Sequence, residues 1–137
     1  MSLLNVFEIA GSAMSAQTVR MNVTASNMAN LDAVSSSDGE TYRARHPVFE
    51  TVYSDSMKSG LSNGVRVAGI IESQSPLRKE YLPQHPKADE DGYIFYPNVN
   101  SIQEMTNMIS ATRTFQNNVE IINASKQMLL RTLSIGQ

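Results

Sequence analysis

The stretch Met14-Ser-Ala-Gln-Thr-Val-Arg-Met-Asn-Val-Thr-Ala-Ser-Asn-Met28 carries a methionine at every seventh position. The same alternation of three- and four-residue steps, extended to the N-terminus, also includes Leu4, Phe7, Gly11, Thr18 and Ala25. Side chains at these intervals lie on one face of an α-helix, and no proline interrupts the segment. We therefore predict a helix over residues 3 to about 31.

A second segment with the same spacing lies at the other end of the chain. Its apolar positions are Met105, Met108, Phe115, Val119, Ile122, Leu129 and Leu133, with Thr112 and Lys126 as exceptions. Ser101 and Glu104 have the spacing of a capping box, and Gly136 is a suitable C-terminal stop. We predict a helix over residues 99 to about 134, with its stripe buried against the stripe of the first helix.

The residues between the two helices, 32 to about 97, have a different composition. They contain all five prolines and five of the seven glycines. Turn-forming residues cluster at positions 35–39, 62–64 and 89–92. Strand-like runs occur at residues 42–53 (broken by Pro47), 65–71 and 93–96, and the proline-rich residues 73–89 are predicted to be an extended loop. This middle segment should form a small β-rich module or hairpin.

The predicted fold class is α+β. Two long terminal helices pair as an antiparallel coiled coil, and the insert at one end of the pair brings the chain ends together. Residues 1–33 hold the N-terminal helix, 34–98 the β-rich middle module with its proline-rich loop, and 99–137 the C-terminal helix. The middle module is too small to be stable without the helices.

Composition limits the possible functions. Charged residues make up 18% of the chain, below the roughly 25% of an average domain, and only Glu8 and Arg20 are charged between residues 3 and 31. Such a surface suits a protein that is covered by neighbours. The net charge of −2 and the lack of a basic run argue against nucleic acid as a partner. No apolar run is long enough to span a bilayer, and the first residues lack the features of a cleaved secretory signal.

The residue types that carry chemistry do not form a recognisable site. Cysteine is absent, which excludes thiolate metal sites and cysteine nucleophiles. His46 and His85 each precede a proline, without the carboxylate or nucleophile that a catalytic pair needs. Residues 89–92, Asp-Glu-Asp-Gly, lack the spacing of a calcium loop and are predicted to form a β-turn. We predict that the protein is not an enzyme and uses no cofactor or metal.

Three blocks of the sequence resemble a known family. The first runs from Ile9-Ala-Gly-Ser-Ala-Met-Ser-Ala-Gln17 to Ala25-Ser-Asn-Met-Ala-Asn30, and the second is Tyr42-Arg-Ala-Arg45 followed by Val48-Phe49. The third is Ala111-Thr-Arg-Thr-Phe-Gln-Asn-Asn-Val-Glu120 followed by Lys126-Gln-Met128 and Thr132-Leu-Ser-Ile-Gly-Gln137. Tyr93 and Pro97-Asn-Val-Asn100 fit the same pattern. Over nearly its whole length, the chain resembles the axial proteins of the bacterial flagellum, and specifically those of its proximal rod.

The resemblance implies a structural subunit of the flagellar basal-body rod that polymerises through its terminal helices, transmits torque and encloses the export channel. It implies export through the flagellar type III apparatus without a cleaved signal peptide, and assembly in the periplasm. The implied partners are other copies of the chain and the sister rod proteins FlgB, FlgF and FlgG, with FliE and FlgJ as further candidates.

The predicted assembly interface combines the two stripes with amide side chains from the resembling blocks. Its residues are Leu4, Phe7, Gly11, Met14, Met21, Ala25, Asn27, Met28, Asn30, Met105, Met108, Phe115, Asn118, Val119, Ile122, Leu129 and Leu133. Neutral side chains can hydrogen-bond to neighbouring subunits without the cost of removing charges from water. The alternative is a soluble helical-hairpin binding module or secretion chaperone, but such a protein needs a charged surface, which the N-terminal helix lacks.

Overall fold

The computed structural model describes residues 3–53 and 63–135. Helix α1 spans Leu3–Ala29 and helix α2 spans Ser101–Ile135. Four strands lie between them: β1 (Arg45–Tyr53), β2 (Asn63–Glu72), β3 (Arg78–Tyr81) and β4 (Tyr93–Tyr96). They form two antiparallel hairpins, β1–β2 and β3–β4. The predicted α+β class, with two long terminal helices around a small β-rich middle, is confirmed.

The two helices pack side by side in opposite directions. Asn27, in the last turn of α1, donates a hydrogen bond of 3.0 Å to Glu104 in the first turn of α2. Farther along, the Thr112 hydroxyl lies 3.7 Å from the sulfur of Met21. A step backward along α1 therefore corresponds to a step forward along α2. The antiparallel pairing that the two stripes predict is confirmed.

The inner face of α2 follows a seven-residue repeat with two kinds of position. The first kind agrees with the predicted stripe and comprises Met108, Phe115, Ile122 and Leu129, all partly buried. The second kind comprises Glu104, Ala111, Asn118 and Ser125, which are small or polar. The predicted stripe places this second set one residue later. Of its members, Met105 and Leu133 are exposed, whereas Thr112 contacts Met21 and Val119 is partly buried. The error arises because apolarity alone cannot find a seam that alternates large apolar residues with small or polar ones.

Helix α1 is covered on two sides, by α2 and by the β1–β2 hairpin. Its buried residues are Ala10, Ala16, Val23, Thr24 and Asn27. On the predicted stripe, Phe7, Met14, Met21 and Met28 are only partly buried, and Gly11, Thr18 and Ala25 are exposed. The predicted stripe is therefore displaced from the buried face, because the second contact is made by small and polar residues that give no apolar signal.

The β1–β2 hairpin lies along α1. At one end, the Ser12 hydroxyl accepts a hydrogen bond of 3.1 Å from the backbone N–H of Val65. At the other end, the Asn27 side chain donates to the backbone oxygen of Arg45 at 2.9 Å. A Cβ at Gly64 would lie 3.1 Å from the Ser12 hydroxyl oxygen, so glycine permits the close approach of β2 to α1.

Strand β1 contains Pro47, opposite Ile70, so the predicted break at this proline is wrong. Both strands of a two-stranded sheet are edge strands, and an edge tolerates a residue without an N–H. The pairing shifts after Val48, because Phe49 faces Val67 and leaves Ala68 without a partner in β1. Such a bulge bends a hairpin and increases its twist.

Strand β3 lies within the segment predicted to be a loop, and that prediction is wrong for Arg78–Tyr81. All four side chains of β3 are exposed, so the sequence shows no alternation of apolar and polar residues there. The strand is held by its pairing with β4 and by two cation–π contacts. The guanidinium of Arg78 lies 4.3 Å from the centroid of the Tyr96 ring, and the ammonium of Lys79 lies 4.9 Å from that of Phe95.

Two of the predicted turns are confirmed. In the first, the N–H of Gly92 donates to the carbonyl oxygen of Asp89 at 3.0 Å, and the Asp89 carboxylate accepts from the N–H of Tyr93 at 2.7 Å. In the second, the carbonyl oxygen of Ser37 accepts a hydrogen bond of 3.3 Å from the N–H three residues later. The third predicted turn, at 62–64, falls partly outside the described residues.

Helix α2 begins differently from the prediction. Its N-cap is Asn100, whose side-chain oxygen accepts hydrogen bonds of 3.0 Å and 3.2 Å from two backbone N–H groups of the first turn. The predicted capping box between Ser101 and Glu104 is wrong, because the Glu104 carboxylate binds Asn27 instead. The predicted stop, Gly136, lies outside the described residues.

We expect Gly92→Ala to lower the free energy of unfolding by about 1–3 kcal/mol. Gly92 has a φ of 82°, and a Cβ there would lie 2.8 Å from the Tyr81 ring. Urea unfolding followed by tyrosine fluorescence would measure the change. Gly39→Ala is the matched control, since a Cβ at Gly39 meets nothing within 4 Å. Equal stability of the two variants would contradict the prediction.

Candidate assembly interface

Asn27 is fully buried and uses every hydrogen-bonding group of its side chain. Its Nδ2 donates to the backbone oxygen of Arg45 at 2.9 Å and to Glu104 Oε2 at 3.0 Å. Its Oδ1 accepts from the Tyr42 hydroxyl at 2.8 Å and from the backbone N–H of Arg45 at 2.9 Å. Two donor hydrogens and two acceptor lone pairs are the full capacity of a primary amide. One side chain therefore joins α1 to β1, to the segment before β1 and to α2.

Arg45 is bound to Asn27 through its backbone and turns its side chain outward. The guanidinium donates to Oε1 of Glu72 from Nε at 3.2 Å and from Nη2 at 3.0 Å, and it lies 5.5 Å from the centroid of the Tyr42 ring. Both ion-pair partners are half exposed, so the pair contributes at most about 1 kcal/mol. The two backbone hydrogen bonds to Asn27, shielded from water, are what fixes the start of β1.

Glu104 is buried, and its carboxylate is bound by amides. Besides Asn27, the side chain of Asn107 donates to Glu104 Oε1 at 3.3 Å, and Asn107 in turn accepts a hydrogen bond of 3.2 Å from Arg20. Across residues 3–53 and 63–135, no Lys, Arg or His nitrogen lies within 4.0 Å of this carboxylate. A buried carboxylate is costly unless its donors are held in place. The cluster therefore favours one alignment of α1 with α2.

A second amide, Asn98, fixes the approach to α2. Its Oδ1 accepts from the backbone N–H of Ala44 at 2.8 Å, and its Nδ2 donates to the carbonyl oxygens of Ser75 at 2.8 Å and Ser73 at 3.3 Å. The residue after Ala44 is the one that Asn27 binds. Two asparagines, one on each terminal segment, therefore hold consecutive residues at the start of the hairpin.

The face of α2 that points away from α1 carries large apolar side chains. Ile102, Met105 and Ile109 are 75%, 50% and 55% exposed, and they follow one another at intervals of three and four residues. We call these three residues the outer stripe. Farther along the same helix, Ile121, Met128, Leu130 and Leu133 are also exposed. Exposed apolar side chains grouped on one helix face, as in the outer stripe, are typical of contact sites.

The structure divides the predicted interface residues by exposure. Those that are partly buried are Phe7, Met14, Met21, Met28, Asn30, Met108, Phe115, Asn118, Val119, Ile122 and Leu129. Those that are exposed are Gly11, Ala25, Met105 and Leu133, whereas Asn27 is fully buried. Leu4 belongs to α1, but its side chain lies outside the described ones. The use of this whole set in assembly stays a prediction.

Sequence reasoning missed residues on both surfaces of α2. Ile102 and Ile109 share the helical spacing of Met105, so a search for a second apolar face would find them. The pairing of Glu104 with Asn27 has no local signal, since 77 residues separate the two. Its detection requires the folded chain.

The two histidines lie in different parts of the fold. His46 is in β1, and His85 lies in the β3–β4 connection, where its Nδ1 accepts a hydrogen bond of 3.1 Å from the backbone N–H of Lys87. Within the described ranges, no three His, Asp or Glu side chains are placed to hold a metal ion together. None of the helices described there combines the length and the apolar character needed to cross a membrane.

Two segments of the chain match known families. Residues 7–35, which include Asn27, match the family described as "Flagella basal body rod protein". Residues 90–135, which include Asn98, Glu104 and the outer stripe, match the family described as "Flagellar basal body rod FlgEFG protein C-terminal".

Several full-length relatives are similar to the chain. It is 48% identical to the flagellar basal-body rod protein FlgC of Salmonella typhimurium and 50% identical to that of Yersinia enterocolitica, each over 137 residues that cover both proteins completely. The FlgC of Borreliella burgdorferi is 35% identical over 151 residues, which cover all of this chain and 99% of that protein.

We expect Asn27→Ala to lower the free energy of unfolding by at least about 3 kcal/mol, because it leaves polar groups of Arg45, Tyr42 and Glu104 without hydrogen-bond partners in a buried site. Asn22→Ala, an exposed position on the same helix, should change stability by no more than about 0.5 kcal/mol. Urea unfolding measures both values.

The same measurement can isolate the contact between the helices. In a double-mutant cycle, Asn27→Ala and Glu104→Ala should be coupled by about 0.5–3 kcal/mol. Strict additivity of the two single effects would show that the carboxylate does not depend on the amide.

Proposed function

Because the chain belongs to the FlgC family of flagellar basal-body rod proteins, we propose that it joins the rod through the outward faces of its two terminal helices. As a member of this family it is a structural subunit of the rod and not an enzyme, and it assembles with other rod proteins. The alternative of a soluble helical-hairpin module or secretion chaperone is therefore set aside.

The outer stripe is the observation that most supports this route of assembly. Its three side chains keep half or more of their surface exposed in the single chain. Full burial of an Ile or Met contributes about 1.5–3 kcal/mol, so covering what remains exposed would contribute roughly 1–2 kcal/mol for each residue. Apolar anchors at three- and four-residue steps are the pattern by which a helix packs into the groove of a partner.

The outward face of α1 is suited to close approach by a neighbouring helix. It carries small residues, with Gly11, Ser15, Ala25 and Ala29 all exposed. A Cβ added at Gly11 would meet nothing within 4 Å, so this position is open in the single chain. Between Gly11 and Ala29 this face carries no charged residue. A neighbour could cover that part without removing a charge from water, which is the costly step in burying a polar surface.

The finer features of the family resemblance belong to the same proposal. The subunit would lie in the periplasmic part of the rod, and its terminal helices (within residues 1–33 and 99–137) would enclose the export channel, with residues 34–98 outside them. Its neighbours would be other copies and FlgB, FlgF and FlgG, with FliE and FlgJ as further contacts. The single alignment of α1 with α2 that Asn27 and Glu104 favour suits a part that transmits torque, because it resists sliding of one helix along the other.

We expect the triple variant Ile102→Gln, Met105→Gln, Ile109→Gln to fold normally and fail to build a rod. Glutamine keeps helix propensity and similar length but removes the apolar surface. The variant is expressed in a strain that lacks its own gene for this protein, swimming is measured in soft agar, and basal bodies are inspected by electron microscopy. Swimming should be abolished.

The matched control is Gln103→Ala, Thr106→Ala, Ser110→Ala, which alters exposed polar positions over the same turns of α2. It should swim like the unaltered protein, and urea unfolding should differ by no more than about 0.5 kcal/mol per site for both variants. Normal swimming of the outer-stripe variant would refute its role in assembly.

A further inference from the structure

The two ends of the helix pair differ in shape. Helix α2 has 35 residues and α1 has 27. Because Asn27 meets Glu104, the two helices are nearly flush where α1 ends and α2 begins. At the opposite end, α2 continues past the first residue of α1 by roughly two turns. We call residues 130–134 the overhang, and all of them are exposed, with Leu130 at 57% and Leu133 at 69%.

The flush end carries an open cavity of about 590 Å³, which we call the end pocket. Its walls come from the turn after α1, from the connection between β2 and β3, and from the approach to α2. Among the residues that line it are Leu31, Asp32, Leu77, Pro97 and Val99. The apolar members Leu31, Leu77 and Val99 are partly buried by contacts within the chain, so these walls exist before any partner arrives.

We propose that the overhang of one copy of the chain seats in the end pocket of a second copy. Leu130 and Leu133 lie about one turn apart on the same face of α2 and supply an apolar pair for Leu31, Leu77 and Val99, in a pocket whose other lining residues are mostly polar. The inference goes beyond the outer stripe, since it uses other residues and a different direction of contact, and it depends on the proposed function only in that copies of the chain assemble.

Charge favours this pairing of unlike ends. Arg131 is exposed on the overhang and Asp32 is exposed at the pocket, and in the part of the chain that the structure describes neither forms an ion pair. The other charged lining residue, Arg78, is turned onto the Tyr96 ring at 4.3 Å and keeps its positive charge, so Asp32 is the lining residue that attracts Arg131. If two overhangs met instead, Arg131 of each copy would approach the other.

Seating the overhang in the end pocket aligns successive α2 helices head to tail, since Asn100 and Ser101 line the pocket at the N-terminal end of α2 and the overhang is its C-terminal end. A head-to-tail contact of this kind is heterologous, so it can repeat from copy to copy without closing.

Because the chain contains no cysteine, disulfide cross-linking can test the contact directly. The test protein is the purified full chain with Leu77→Cys in the pocket and Leu133→Cys on the overhang. Leu77 lines the pocket beside the N-terminal end of α2, and Leu133 lies near the other end of this helix, which is roughly 50 Å long. A disulfide needs Cα atoms within about 7 Å, so a bond can form only between copies. Mild oxidation at high protein concentration should yield a ladder of covalent oligomers.

The matched control replaces Leu133→Cys with Gln116→Cys, an exposed position near the middle of α2. It should give no ladder, and Val99→Cys used in place of Leu77→Cys should restore one with Leu133→Cys. Absence of a ladder from both pocket positions, or an equal ladder from the Gln116→Cys control, would overturn the proposal.

Charge reversal supplies a second arm. Arg131→Glu should reduce the ladder yield by about two- to fivefold, the range for an exposed ion pair, and Asp32→Lys added to it should restore the yield. A ladder that is insensitive to both changes would overturn the pairing of these ends. The ladder should also persist when the triple outer-stripe substitution is added, so failure of this contact and failure of the outer stripe can be distinguished.

Discussion

The side chain of Asn27 joins segments that are distant along the chain. Its partners lie 15 residues away at Tyr42, 18 residues away at Arg45 and 77 residues away at Glu104. All four of its hydrogen-bonding valences are used in a site that water does not reach, so a shift of any partner leaves a polar group unsatisfied. The burial of apolar side chains would tolerate several neighbouring arrangements of the helices. Only one of these arrangements satisfies all the hydrogen bonds of the Asn27 amide. The start of the hairpin and the alignment of α2 both depend on these bonds.

Helix α2 divides the requirements of folding and assembly between its two faces. The inner face alternates large residues such as Met108 and Phe115 with Ala111 and Ser125, and the small members let α1 come close. Buried polar residues in such a seam specify alignment at some cost in stability. The outer face carries Ile102 and other apolar side chains that contribute little to the single chain.

The long helices could be predicted from the sequence because seven-residue spacing without proline persists over many turns. Strand β4 could also be predicted, since Tyr93 to Tyr96 are aromatic or β-branched and are bounded by turn residues. The exposed strand β3 could not be predicted, because Arg78 and its neighbours adopt the strand conformation through pairing with β4. The predicted stripe on α1 does not coincide with the buried face of the helix. The reason is that α1 also contacts the hairpin, through residues such as Ser12 that give no apolar signal.

The candidate site divides in the same way. Asn27 stands in a block that resembles the rod family, so it could be singled out from the sequence, and Met105 could be found from its spacing. The role of Asn27 could not, because a hydrogen bond across 77 residues leaves no local pattern. The capping box predicted for Glu104 is wrong for the same reason. Its spacing from Ser101 suggests a local partner, but in the folded chain its carboxylate binds Asn27, 77 residues away.

The β1–β2 hairpin runs beside α1 and is anchored to it near both ends, by Asn27 on one side and Ser12 on the other. Its backbone hydrogen bonds are perpendicular to the strands, and therefore also roughly perpendicular to the axis of α1. Tension along that axis would pull on the whole ladder in shear, so its bonds would have to break together. Tension across the axis would open them one at a time, like a zip. The hairpin is thus mechanically anisotropic: it is stiff along the axis of α1 and compliant across it.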